Sequence, residues 1–140
     1  MLNGAFIVAL LLTQASVKPL PSTLLMRIET VVEGEFRRLE RVGTIRLRDV
    51  TVTPQVGGAA MTVLLTLPRR QPFEANAERA YESVWHALNG LPNAYRDLGR
   101  VVVSLKRTSR QMTVDCPARF VQQSDGKIRF DQLKKSCRVR

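Results

Sequence analysis

Histidine, cysteine and aromatic residues are scarce in this chain: one His, two Cys and one Trp, with aromatics at 6% of 140 residues. A lone histidine, His86, with Cys116 and Cys137 far from each other and from it, lacks the closely spaced ligand pairs of zinc sites. No metal is expected, and no cofactor motif stands out. Gly57 and Gly58 are followed neither by Lys with Ser or Thr nor by a helix start, so residues 54–60 read as a hairpin turn instead of a phosphate-cradling loop. Phe120 and Phe130 are too few to suggest a base-stacking platform, and no nucleic-acid motif is recognised. Catalytic signals are equally thin. Glu74, Glu78 and Glu82 fall at four-residue steps and read as a wet helix face. A cysteine paired with His86 has no local signature of a nucleophile and its base.

Long apolar runs are missing too. The longest, within residues 5–12, is well short of the about 20 residues that span a bilayer. It lies in a stretch, residues 1–16, without a charged side chain, and Thr13, Gln14 and Ala15 follow it. That pattern reads as a signal peptide over residues 1–15, cleaved after Ala15, although no Lys or Arg precedes the run. The competing reading is a buried first element of an intracellular protein. Pro19, Pro21 and Ser22 mark residues 16–22 as a linker.

What the chain does carry is periodicity. Leu25, Ile28, Val32, Leu39 and Val42 share one helical stripe, with Ser22 placed to cap its start and Gly43 its end. Gly34 interrupts it, so two strands meeting near Gly34 are the alternative. Residues 44–53 then alternate, Ile45 and Leu47 against Arg46 and Arg48, and the alternation slips at Asp49, which suggests a bulge. Met61, Val63, Leu65 and Leu67 continue in period two. A second helix follows on Ala77, Tyr81, Val84, Leu88 and Leu91, opening at Glu74 or Asn76 and stopping at a left-handed Gly90 before Pro92. Trp85 beside that stripe is expected to be buried against the next hairpin, in which Val101, Val103 and Leu105 face Met112, Val114 and Cys116. The fold class is therefore α+β: two helix-plus-β-hairpin units forming one antiparallel sheet of about four strands, both helices on one face. Residues 23–120 make that domain. Residues 121–140 read as a basic tail with a short strand at 127–130, tied to the domain.

Acidic residues are few in the last third. From Arg96 onward twelve bases stand against four acids, whereas ten stand against eight before it. Either this is a solvated face, or Arg100, Lys106, Arg107, Arg110, Arg119, Lys134, Lys135 and Arg138 form an anion-binding surface. If the chain is exported, Cys116 and Cys137 pair as a disulfide; buried free thiols are the alternative. The expected function is an exported, non-enzymatic accessory or interaction protein of a cell envelope or secreted assembly, secreted or periplasmic. Its partner would be anionic: an acidic protein, a glycan, a lipid headgroup or nucleic acid. A cytoplasmic nucleic-acid-binding protein is the alternative, and a small hydrolase acting on an anionic substrate is the third class.

Overall fold

Ile28, Val32 and Phe36 recur every fourth residue and are fully shielded from solvent, and they hold α1 (Ser22–Val42) down along its inner face. Gly34 lies on the opposite, exposed side with nothing within 4 Å of an added Cβ, so the helix runs through it. The outer face carries Arg37 bonded to Glu40 at 3.0 Å and Arg38 bonded to Glu35 at 2.5 Å. The computed structural model describes residues 22–43, 45–91 and 93–140. The expected signal peptide at 1–15 lies outside them, as does the linker at 16–22 except for Ser22, where α1 begins.

The two hairpins form where the alternation places them. In the first, β1 (Arg46–Gln55) pairs with β2 (Gly58–Thr66), Gln55 faces Gly58, and Val56 and Gly57 make the turn. Register shifts between Leu47 and Asp49, so the bulge is real and Arg48 is the extra residue. The second hairpin is β3 (Leu98–Arg107) with β4 (Arg110–Pro117), closed by Thr108 and Ser109. Between them lies α2 (Phe73–Asn89), which follows Pro72 and so starts before Glu74 and Asn76. Gly90 is right-handed, with φ −82°; the left-handed residue is Asn93, which leads into the single turn α3 (Ala94–Asp97).

The sheet runs β1-β2-β3-β4-β5, and one junction corrects the expectation of an all-antiparallel sheet. β2 and β3 are parallel, which makes the sheet mixed. The reason is α2: a helix between the two hairpins carries the chain back to the end of the sheet where β2 began, and β3 then runs alongside β2. Both helix-plus-hairpin units, with their helices on one face, are otherwise as expected. At this junction Gly58 passes so close to β3 that an added Cβ would stand 3.0 Å from the Gly99 nitrogen, which only glycine tolerates.

The last residues are more structured than their polarity suggests. They form α4 (Ala118–Gln123), α5 (Phe130–Ser136) and β5 (Arg138–Val139), which adds a fifth strand beside β4. No strand forms at 127–130. The core between sheet and helices contains Met61, Leu65, Tyr81, Leu88, Leu105 and Leu133, each almost wholly buried. Tyr81 joins α2 to both strands of the second hairpin: its hydroxyl lies 2.8 Å from the Val101 carbonyl and 2.7 Å from that of Val114, and its one proton is shared between them. Burial first, and the Asp115 charge second, push its ionisation well above the ordinary tyrosine range, so it stays neutral. Trp85, by contrast, is only partly buried, because it sits a helical step beyond the Tyr81, Val84 and Leu88 stripe. Its ring is covered by Gly126, in the turn between α4 and α5.

Candidate functional site

Cys116 and Cys137 form a disulfide, which fastens the residue between α5 and β5 to the end of β4. Both sulfurs are thereby spent, so neither can serve as a nucleophile for His86. That histidine is exposed on α2, edge-on to Trp85 and 3.9 Å from Glu82. Among the described residues no three His, Cys, Asp or Glu gather as metal ligands, and no helix is long and apolar enough to cross a membrane.

The eight basic residues singled out above do not share one face. Arg100, Lys106 and Arg138 occupy outward positions of the sheet, opposite the helices, as the register with Pro117, Gln111 and Asp115 shows. Arg107 turns the other way. Its guanidinium lies over the Phe73 ring at 4.5 Å and donates to the Gln71 carbonyl at 2.5 Å, pinning the end of β3 to the start of α2. Arg110, opposite Arg107 in the hairpin, is exposed on that same side. Arg119 stands on α4, and Lys134 and Lys135 stand on α5, with Lys134 5.6 Å from the Phe130 ring.

Two of the eight are already engaged. Arg100 makes a two-point contact with Asp115, whose hydrogen bond and charge raise the arginine's pKa further above its ordinary value. Arg107 has the structural contacts just described. An arginine held in this way has fewer donors left for a ligand.

Arg119 and Lys135 belong together in a different sense, because both line one groove. Its central part, about 760 Å³, is walled by Tyr95, Arg96, Arg119 and Phe120, with Gly57 and Gly99 at the end where β2 and β3 begin. A second hollow of about 440 Å³ adjoins it through Tyr95, Arg96 and Gln122 and ends at Trp85. A third, also about 440 Å³, adjoins it through Phe120, Gln123 and Ser136 and reaches Lys127 and Lys135. Three aromatic side chains, Trp85, Tyr95 and Phe120, and four cations, Arg96, Arg119, Lys127 and Lys135, thus line the adjoining hollows. Asp125 is the acid in its wall, and Asp97 lies 3.8 Å from the Arg96 guanidinium. The Tyr95 hydroxyl is buried with no hydrogen-bond partner among the described residues, and burial raises its pKa well above the ordinary value.

Trp85, Tyr95 and Arg96 were not marked by the charge excess, since they precede it or stand at its margin. A signal was available in the adjacency of Tyr95 and Arg96 just after Pro92 and Asn93, where an aromatic and a base share one short loop. Chemically, the groove can hold negative groups and cover flat faces. Among the described residues its walls hold no paired acid and base. Set against protein-family models, curated proteins and solved structures, the chain matches none of them.

Proposed function

We propose that this domain is a binding module for a linear polyanion, most simply an acidic glycan, seated in the groove that runs from Trp85 past Tyr95 and Phe120 to Lys135. The observation that carries the reading is that three aromatic side chains and four cations line the same adjoining hollows. Sugar rings and bases both present flat faces that aromatic side chains cover, and sulfate, carboxylate or phosphate groups between them meet the cations. The disulfide favours the glycan, because such bonds persist in oxidising compartments such as the cell envelope or the exterior. In this reading the domain acts as an exported accessory or interaction protein.

Binding of heparin and of single-stranded DNA to the full chain tests it across a salt series. Affinity should fall with salt; for single strands the log–log slope is about 0.7 per neutralised phosphate, so four contacts give about −3. Charge reversal at Arg119 and Lys135 together should weaken heparin at least tenfold, while reversal at Arg110 should change it little. No binding at about 50 mM salt, where such charges are still poorly screened, overturns the reading. DNA binding tighter than heparin at matched salt moves the partner to nucleic acid.

A further inference from the structure

At the other end of the sheet, about 20 Å along β3 from Gly99 by strand rise, the open face holds a separate hollow of about 470 Å³ lined by Arg48, Leu64, Ser104, Lys106, Thr108 and Gln111. We infer that this hollow is a site for a single tetrahedral oxyanion, a phosphate or sulfate group carried as a monoester. Two backbone features build it. Arg48 is the extra residue of the β1 bulge, and bulges re-aim side chains that regular pairing would hold in line. Thr108 holds a φ of +52°, uncommon for a β-branched residue, and its hydroxyl donates to the Arg107 carbonyl at 2.7 Å. That turn walls one end of the hollow.

Polar side chains that line the hollow come from β1, β3, the turn after it and β4. Arg48 on β1 and Lys106 on β3 flank β2, so their backbones stand about 10 Å apart, a span two long side chains close over one oxyanion. Neither is paired with a carboxylate among the described residues. Between them Ser104, nearly buried, accepts a hydrogen bond from the Gln111 amide at 2.6 Å. Its own proton is therefore free to be given to Thr113, whose oxygen is 3.5 Å away, or to a ligand oxygen. Among the described residues no acid lines the hollow. Asp49 stands opposite Leu64 in the register but is not in the wall, and Asp115 is occupied by Arg100. Leu64, an exposed large apolar residue, supplies a floor for the body of the ester. Two cations, an oriented hydroxyl and an apolar floor fit one small ester better than an extended chain, which would find no further cation within the hollow among the described residues.

Amide chemical-shift titration of the full chain with inorganic phosphate, inorganic sulfate and phenyl phosphate, at matched ionic strength in chloride, reads this directly. Saturable shifts centred on Arg48, Ser104, Lys106 and Thr108 are expected, with phenyl phosphate tightest because its ring covers Leu64. Preference for phosphate over sulfate, or the reverse, identifies the source of the group. Lys106→Gln and Arg48→Gln, both exposed positions, should each weaken binding at least fivefold, while charge reversal at Arg119 should leave it unchanged. Linear, unsaturated shifts spread over all surface cations, or unchanged affinity in Lys106→Gln, would overturn the proposal. Because the polyanion groove lies elsewhere, failure of one reading leaves the other standing.

Discussion

The outer edge of the first hairpin, along β1, and that of the second, along β4, are protected by different chemistry. Along β1 two outward amides are taken by carboxylates of α1: Leu47 donates to Glu40 at 2.5 Å and Val52 to Glu29 at 2.9 Å. Along β4 a further strand does this work, with Thr113 and Arg140 exchanging both backbone hydrogen bonds at 2.9 Å, and the Cys116–Cys137 bond holds that strand in place. An uncovered edge invites pairing with another chain, so each unit needs some such device. Two glutamates of α1 guard the first edge, whereas the covalent lock on the second uses no acid.

Breaking the covalent lock should have the largest effect. Cys137→Ser opens a loop closed over a sequence separation of 21, for which the chain-entropy model gives roughly 3 kcal/mol. Denaturant melts with and without reductant should show that loss in the native protein and none in the variant. Hydrogen exchange should quicken at the Thr113 and Arg140 amides while Leu47 and Val52 keep their protection. If both edges loosen together, the two devices are not independent.

A pair of glycines sharpens the contrast between the units. Gly126 has φ +77°, and a Cβ there would stand 2.9 Å from the Trp85 ring, so Gly126→Ala should cost about 1 to 2 kcal/mol. Gly34 in α1 is helical with open space around it, and Gly34→Ala should add about 0.5 to 1 kcal/mol. Thermal melts of the two variants should move in opposite directions. A shift of the same sign in both would mean that the Gly126 turn adapts freely and does not clamp Trp85.

Much of this architecture was readable from pattern alone. The α1 and α2 stripes, the alternation of four strands and the slip beside Arg48 all come from local periodicity. The disulfide followed from an even cysteine count and an exported reading. The direction of β3 against β2 was not readable, because alternation reports which face a residue takes and says nothing about which neighbour its strand will choose. β5 has two residues, too few for any period. The groove was hidden for a related reason: its walls come from α2, α3, α4 and α5, and no window of sequence contains Trp85 together with Lys135. Net charge likewise could not separate Arg107, pinned over Phe73, from Arg119, which faces the groove.

The smallest expected effect belongs to the carboxylate edge, and its sign follows from Glu40. The hydrogen bond from the Leu47 amide is the leading cause that lowers its pKa, with Arg37 and Arg46 acting in the same direction and desolvation opposing. A carboxylate whose folded pKa lies below its unfolded value of about 4.3 stabilises the fold fully above that pH. The contribution is then lost as the pH falls through the lower, folded value. Glu40→Gln keeps an oxygen that can accept from Leu47 but removes the charge, so it imitates the protonated acid. The variant should be less stable than the native protein near neutral pH by no more than about 1 kcal/mol, given that the side chain is partly exposed. In urea melts the gap should close as the pH falls below about 4, where the native carboxylate takes up its proton. The Cys137→Ser deficit should show no such window, since cysteines joined in a disulfide do not titrate. A Glu40→Gln deficit that persists undiminished in acid would mean that the edge is held by the shape of the side chain and not by its charge. The contrast between an ionisable guard on β1 and a covalent one on β4 would then fail.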